Sequence, residues 1–440
     1  MNLTMLHRIR HVDRPFYITL ACLTVGYLIA IALLSPPELV GDETRYQWYA
    51  QNLVEGSFVP ADQPDFSHGP GYPILLAPFA ALDAPWWMPR LLNAFFLAGA
   101  MWFFYRTARH FVSARWSLAA TLVMGLNPVL LRYLHHAKPE VLCVLYACAF
   151  VWAMSHILEE TRLQWRWVGV AAGCLFALMM TQVMFGYAVT AAIVAILAFC
   201  ILRDRKDRMW HAVAPLSIAL ALCLPYLAYT YHHTGDVFKW STTEGENWYW
   251  MTSPHEGEWG TWAALEEVKS QPELAKNHEA FAASVDALPY ALQPRAWRQE
   301  AWVNFQAHPE AFARNVAANG SRMLFSFPRS FYYERLTTLC WIVPGMFMVF
   351  LGILAIYPTK KVWYQIPTYI KVYGLIGLFY AGACLFVPAE PRVLLPVVPA
   401  ALLWMTFIYG RIIKVSMEQT WNKQDGPVSH SCKEWLDEAA

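Results

Sequence analysis

The chain is poor in charge. Only 15% of its 440 residues are Asp, Glu, Lys or Arg, against 57% hydrophobic. Water-soluble domains carry about a quarter charged residues, so that class is excluded. The net charge of +1 provides no basic face, and no nucleic-acid partner is expected. Metal-type cysteine spacing is also missing. The nine cysteines fall mostly inside apolar runs, where a thiol behaves as a small core residue. No internal repeat is visible, which argues against a transporter built from inverted halves.

What the chain has is apolar length. Uncharged runs cover residues 16–34, 91–105, 116–131, 141–158, 167–202, 212–231, 336–357, 372–388 and 393–410. At 1.5 Å per residue the 167–202 run is too long for one crossing, and a break near 181–187 is expected. The reading is an all-α polytopic membrane protein with about ten transmembrane helices. Its 21 tryptophans and 22 tyrosines suit interfacial belts. No small-residue cleavage site follows Leu34, so 16–34 reads as a retained span. Basic residues recur at alternate loops: Arg8, Arg10 and Arg14; Arg106, Arg109 and Arg115; Arg203, Arg205, Lys206 and Arg208; Lys360 and Lys361; Arg411 and Lys414. With ten spans they share one side, and the positive-inside rule makes that side, with both termini, cytoplasmic.

The other face divides the chain. An N-terminal membrane module (1–231) contains a first outer loop at 35–90, and an outer, periplasmic helical segment covers 232–335. A C-terminal membrane module (336–415) and a polar tail (416–440) follow. In the first outer loop, 46–53 suits a short surface helix. Gly69-Pro70-Gly71-Tyr72-Pro73 then turns into an apolar run, 74–82, too short to span, that lies at the interface. In the outer segment Trp297, Ala301, Phe305, Phe312, Val316, Met323 and Phe327 step at helical spacing, with Pro309 restarting the helix. These helices either cover the spans or frame a groove for an acceptor.

Chemistry-bearing residues gather on this same face. Asp42 and Glu43 follow the first span and point about 100° apart on a helix. Either they favour a helix N-terminus, or one faces a reacting hydroxyl while its neighbour holds an amide, an arginine or a metal. Glu140 opens the fourth span and is either an ordinary helix-end acid or a second acid for the same site. Lys138 is placed to pair with it or to meet an anion. Arg90 and Arg392, at span ends, either snorkel to the headgroups or bind a phosphate. His68, before Gly69-Pro70, is a turn residue or part of the site. Acids and bases from separate loops on one face suit a reaction with a carboxylate base and cationic stabilisation of a phosphate leaving group.

Several of these residues carry a resemblance. Gly41-Asp42-Glu43 with Tyr46, the turn His68-Gly69-Pro70-Gly71-Tyr72-Pro73, Pro89-Arg90, and Glu390-Pro391-Arg392 with Pro396 and Pro399 match one family. On them the chain resembles the polyprenyl-phosphate-sugar-dependent glycosyltransferases of the GT-C class, which include the protein O-mannosyltransferases and the lipid A aminoarabinose transferases. The 308–327 stretch is similar to an outer helix before a late span in bacterial members. The resemblance implies an enzyme that moves one sugar from a polyprenyl-phosphate donor to an envelope glycan, lipid or protein, on the outer face and with inversion. It implies Asp42 as general base with Glu43 orienting it or holding the local structure. Arg90, Arg392 and Lys138 would meet the donor phosphate. Glu140 would be a second acid near acceptor or metal, and His68 and Tyr46 would be supporting residues. Some relatives use a divalent cation and others do not, so the resemblance leaves a metal open and implies no other cofactor. The expected setting is a bacterial inner membrane with the site facing the periplasm. A flippase for a lipid-linked sugar, and a ligase using a polyprenyl-diphosphate donor, are the alternative readings.

Overall fold

Every regular element among the described residues is helical. The computed structural model describes residues 13–159, 163–202, 209–331 and 336–413. Arg8, Arg10, Arg203, Arg205, Lys206, Arg208, Lys414 and the polar tail lie outside the described residues.

The first module begins with α1 (Arg14–Leu34), α2 (Asp42–Val54), α3 (Gly71–Ala81) and α4 (Trp87–Ala108). It continues with α5 (Ala114–Gly125), α6 (Pro128–Tyr133), α7 (Glu140–Glu159), α8 (Trp165–Thr181), α9 (Met184–Leu202), α10 (Met209–Leu222) and α11 (Leu224–Thr234). The 167–202 run breaks at Gln182-Val183, inside the expected window. Two expected single spans are interrupted. The 116–131 run ends α5 at Gly125, and Asn127 restarts the chain by accepting from the Val129 and Leu130 amides at 2.9 and 3.3 Å. The 212–231 run bends by 40° between α10 and α11, where Pro225 lacks the N–H that would continue the ladder.

Among the described residues four helices are long and apolar enough to cross a membrane: Arg14–Leu34, Glu140–Glu159, Met184–Leu202 and Ile342–Gln365. The bent pair α10–α11 makes a fifth if it is one span. The expected ten are therefore not reached by length and composition. The remaining apolar helices are short, or carry charge as α4 does with Arg90 and Arg106.

Helix α7 is the axis of the core. Most of it is buried, with Ala147, Ala149, Ala153, Cys143 and Cys148 letting α4 and α8 approach closely. By contrast α1 packs on α4 along one side and leaves Ile18, Val25, Ile29 and Leu33 exposed. In lipid that surface is matched to its solvent. Helix α1 runs antiparallel to α4 and α7. Asp13, at the start of α1, binds Arg109 (3.2 Å) and Tyr105 (2.6 Å) at the end of α4, and His110 meets Glu159 at the end of α7. The opposite ends of α1, α4 and α7 converge on the first outer loop.

The 232–335 segment forms α12 (Glu244–Thr252), α13 (Leu265–Ser270), α14 (Ala280–Asp286), α15 (Gln293–Ala307) and α16 (Pro309–Phe325). It has a small core of its own around Tyr249, Trp250, Val268, Leu274 and Ala301. Pro309 restarts the helix as expected, but the apolar stripe stops short of Phe327, which is 40% exposed beyond the end of α16. The chain then forms α17 (Leu336–Val362), α18 (Thr368–Cys384), a 3₁₀ turn at Pro391–Leu394, and α19 (Val398–Phe407).

Candidate active site

The acidic pair opens α2, and its two members take different surroundings. Gly41 precedes them with φ of 60°, a left-handed conformation that turns the chain sharply off its approach from α1. No side chain caps the helix; the two acids simply sit in its first turn, where the dipole favours negative charge.

Glu43 faces inward and is 1% exposed. Its Oε1 accepts from Arg90 Nε at 3.1 Å and from the Ala137 amide at 2.5 Å. Its Oε2 accepts from the Val40 amide at 2.9 Å and from Arg90 Nη2 at 3.3 Å, and lies 3.3 Å from His136 Nδ1. Arg90 completes its own set on the carbonyls of Pro36 and Glu38. Burial opposes ionisation of Glu43, but the His136, Ala137, Val40 and Arg90 contacts outweigh it and bring the carboxyl down to about 2. Both oxygens of Glu43 are engaged, as suits the expected alternative that it holds the local structure. One expectation is corrected here. Arg90, 1% exposed and saturated, has no face for a donor phosphate. Together they staple the α1–α2 connection to the start of α4 and to the 134–139 loop. Asn93 adds to that staple by donating to the Leu134 and His136 carbonyls at 3.0 and 2.7 Å.

Asp42 faces the other way, into a cavity of about 300 Å³. Arg392 reaches it from the 3₁₀ turn before α19, and the same Nη1 lies 3.2 Å from Glu140 Oε1. Two carboxylates from distant segments thus meet around one guanidinium. Burial resists the charge on Asp42, but Arg392, His68 and Lys138 outweigh it and hold the carboxyl far below its ordinary range. Glu140 is 8% exposed, and its Oε2 is buried without a hydrogen-bond partner among the described residues. An open acceptor at that depth is costly unless a ligand or water uses it.

His68 and Tyr46 line the same cavity, their rings 4.8 Å apart, with Tyr72 edge-on to Tyr46 at 5.2 Å. Burial lowers His68 to about 4, so its imidazole is neutral at pH 7. The turn that carries it is pressed against the end of α8: a Cβ on Gly69 would lie 2.0 Å from the Met180 carbonyl, and one on Gly71 2.6 Å from Thr181 Oγ1. Only glycine fits at these two positions. Lys138 does not line the cavity. Its ammonium sits 5.8 Å over the Tyr133 ring, close to Gly41 and within the field of Asp42.

Further residues escaped the sequence reading. Gln182, at the α8–α9 break, donates to the Tyr380 hydroxyl at 3.0 Å inside the cavity. Asn319 and Arg322 of α16 act as a rivet behind it. Asn319 Nδ2 donates to the carbonyls of Cys384, Leu385 and Val387, and its Oδ1 accepts from the Ala389 amide at 2.9 Å. Arg322, 1% exposed, donates to Ala389 on one side and to Trp259, Gly260 and Thr261 on the other. The rivet fixes the loop leading to Arg392 and the loop leading to Trp262. The visible signal was a buried polar pair at i, i+3 on the apolar side of an amphipathic helix.

Among the described residues no group of three or more His, Cys, Asp or Glu side chains is arranged to hold a metal ion. A guanidinium stands between Asp42 and Glu140, where a shared cation would have to sit.

The family of dolichyl-phosphate-mannose-protein mannosyltransferases matches residues 67–262. No curated protein sequence matches the chain. Among solved structures, the archaeal oligosaccharyltransferase AglB from Archaeoglobus fulgidus, in complex with an inhibitory peptide and a dolichol-phosphate, superposes with a TM-score of 0.50 at 11% identity. That superposition covers 97% of this chain and 54% of AglB. ArnT from Cupriavidus metallidurans bound to undecaprenyl phosphate gives 0.42 at 12% identity, over 91% of this chain and 78% of ArnT. At 11% identity the likeness to AglB is one of fold, and the chain spans about half of that protein's length.

Proposed function

We propose that the chain is an integral membrane glycosyltransferase of the GT-C class, a reading supported by its fold likeness to AglB and by the mannosyltransferase match over residues 67–262. It transfers one sugar from a polyprenyl-phosphate donor to an envelope acceptor. The observation that carries this reading is the meeting of Asp42, Glu140 and Arg392, from three distant segments, at the wall of one cavity. The dolichol-phosphate in the AglB complex supports the donor class.

In this reading Arg392 receives the donor phosphate, with Lys138 adding positive charge nearby. Cys143, Met184, Tyr380, Cys384 and Val387 give the cavity an apolar side for the first isoprene units. A phosphate on Arg392 competes with Asp42 for the guanidinium. Its arrival therefore loosens the ion pair and makes Asp42 more basic, while Glu140 keeps Arg392 in place. The acceptor hydroxyl then attacks the anomeric carbon from the face opposite the phosphate, and Asp42 takes its proton. The bond from the anomeric carbon to the phosphate oxygen breaks, and its electron pair leaves with the polyprenyl phosphate. One displacement inverts the configuration. The bacterial inner membrane, with the cavity towards the periplasm, is the location that suits a lipid-linked donor and an envelope acceptor.

The test is mass spectrometry of envelope glycans from a deletion strain carrying either wild type or Asp42→Asn. Loss of one sugar mass on deletion, restored by wild type alone, is expected. Full restoration by Asp42→Asn would remove Asp42 as the base. Transbilayer movement of a lipid-linked sugar by the purified protein, without any product, would favour the flippase instead.

A further inference from the structure

The cavity has a second polar wall that the chemistry above does not use. It comes from the outer segment, where Glu246 and Asn247 of α12 and the downstream Trp262 line it. Trp262 is 39% exposed, so a large aromatic face is open within the cavity. Its Nε1 donates to Glu246 Oε1 at 2.8 Å, which fixes the ring by a hydrogen bond. Glu246 Oε2 and Asn247 Oδ1 accept no hydrogen bond from the described residues, while Asn247 Nδ2 is held by Thr243 at 3.2 Å. Burial raises the Glu246 carboxyl above its ordinary range, against the Trp262 hydrogen bond and the Arg45 charge. Arg45 also lines the cavity, one turn along α2 from Asp42, and its charge acts on both Asp42 and Glu246. The base and this wall therefore belong to one continuous site.

A flat aromatic face beside two acceptor oxygens that the described residues leave unengaged matches a sugar ring. A pyranose offers an apolar C–H face for the indole and a rim of hydroxyl donors for the carboxylate and amide. Recurring modes of peptide recognition include strand addition at a sheet edge and a helix laid in a groove. No strand occurs among the described residues, and this wall offers an aromatic face with acceptors rather than such an edge. The wall belongs to the polar outer segment, so the water-soluble part of an acceptor meets it first.

We propose that Glu246, Asn247 and Trp262 form the acceptor subsite and that the acceptor is a glycan, bound through a sugar ring stacked on Trp262. This rests on the glycosyltransferase reading above.

The test uses the full chain in nanodiscs. Saturation-transfer NMR is recorded with methyl glucoside, methyl mannoside and methyl galactoside, and separately with capped tripeptides containing Ser or Thr. Transfer to at least one glycoside and to neither peptide is expected. Trp262→Ala and Glu246→Gln should each reduce that signal about fivefold or more, and Trp262→Phe, which keeps a ring face, should retain part of it. The proposal is overturned by an absent glycoside signal, by one unchanged in Glu246→Gln and Trp262→Phe, or by a peptide signal that these variants remove. Thermal stabilisation of the wild type by undecaprenyl phosphate is measured alongside. Its presence without a glycoside signal sinks only the acceptor subsite, whereas its absence sinks the donor reading.

Discussion

Asp42 and Glu43 are chain neighbours, each paired with an arginine, yet they belong to two different regions of the molecule. On the Glu43 side, Arg90 is enclosed and every polar atom of the pair is engaged by the fold. On the Asp42 side, Arg392 stays about a third exposed in an open cavity and shares itself with Glu140. The carboxylate–guanidinium chemistry is the same on both sides. What differs is spare capacity: a saturated pair holds structure, and an unsaturated one can exchange partners with a ligand.

The sharpest way to break that comparison is to neutralise each acid in turn. Asp42→Asn is expected to lower transfer by about 10²–10⁴-fold, the usual worth of a general base, with thermal unfolding little changed. Glu43→Gln should do the reverse, losing stability first. If Glu43→Gln unfolds like wild type while losing transfer as deeply as Asp42→Asn, the two sides are not distinct. Next in size, Arg90→Met leaves a buried carboxylate unpaired and should cost about 3–5 kcal/mol, read by denaturant unfolding in detergent. Adding Glu43→Gln to that variant should recover part of the loss.

A pH titration of stability probes the same staple. The Glu43 carboxyl goes from 4.5 in the unfolded chain to about 2 in the fold. The unfolded chain therefore binds more protons in this window, and stability rises with pH. The contribution is complete above about pH 4.5 and is lost as pH falls towards 2, amounting to about 3 kcal/mol. Glu43→Gln should remove this slope; a slope unchanged in that variant would place the acid-labile group elsewhere. The smallest effect belongs to Arg392→Ala, which should raise the donor KM about 10–100-fold, the worth of one charge-assisted hydrogen bond. An unchanged donor KM would leave the phosphate without its cation.

Much of the helical layout was legible in the chain. The 167–202 run had to break because its length exceeds a bilayer, and Pro309 had to restart a helix. Asp42, His68, Glu140 and Arg392 could be picked out as charged or polar residues at the ends of apolar runs. The division of labour within the acidic pair was not legible. A 100° step on a helix says that two side chains diverge, but not which meets a protein wall and which meets a cavity. Asn319, Arg322, Glu246 and Trp262 were missed for a related reason: each acts on segments more than ten residues away, and even the polar pair at i, i+3 in α16 does not say which segments it joins.

By itself the sequence determined the class of solvent and the helices. Apolar length and scarce charge leave only structures whose backbone bonds are satisfied within each segment, and that constraint is local. The tertiary structure alone decided the surroundings of each charged pair. Whether an arginine is a staple or a ligand's partner depends on how many of its donors the surrounding fold already uses. That number is set by the Pro36 and Glu38 carbonyls around Arg90, and by the open cavity around Arg392.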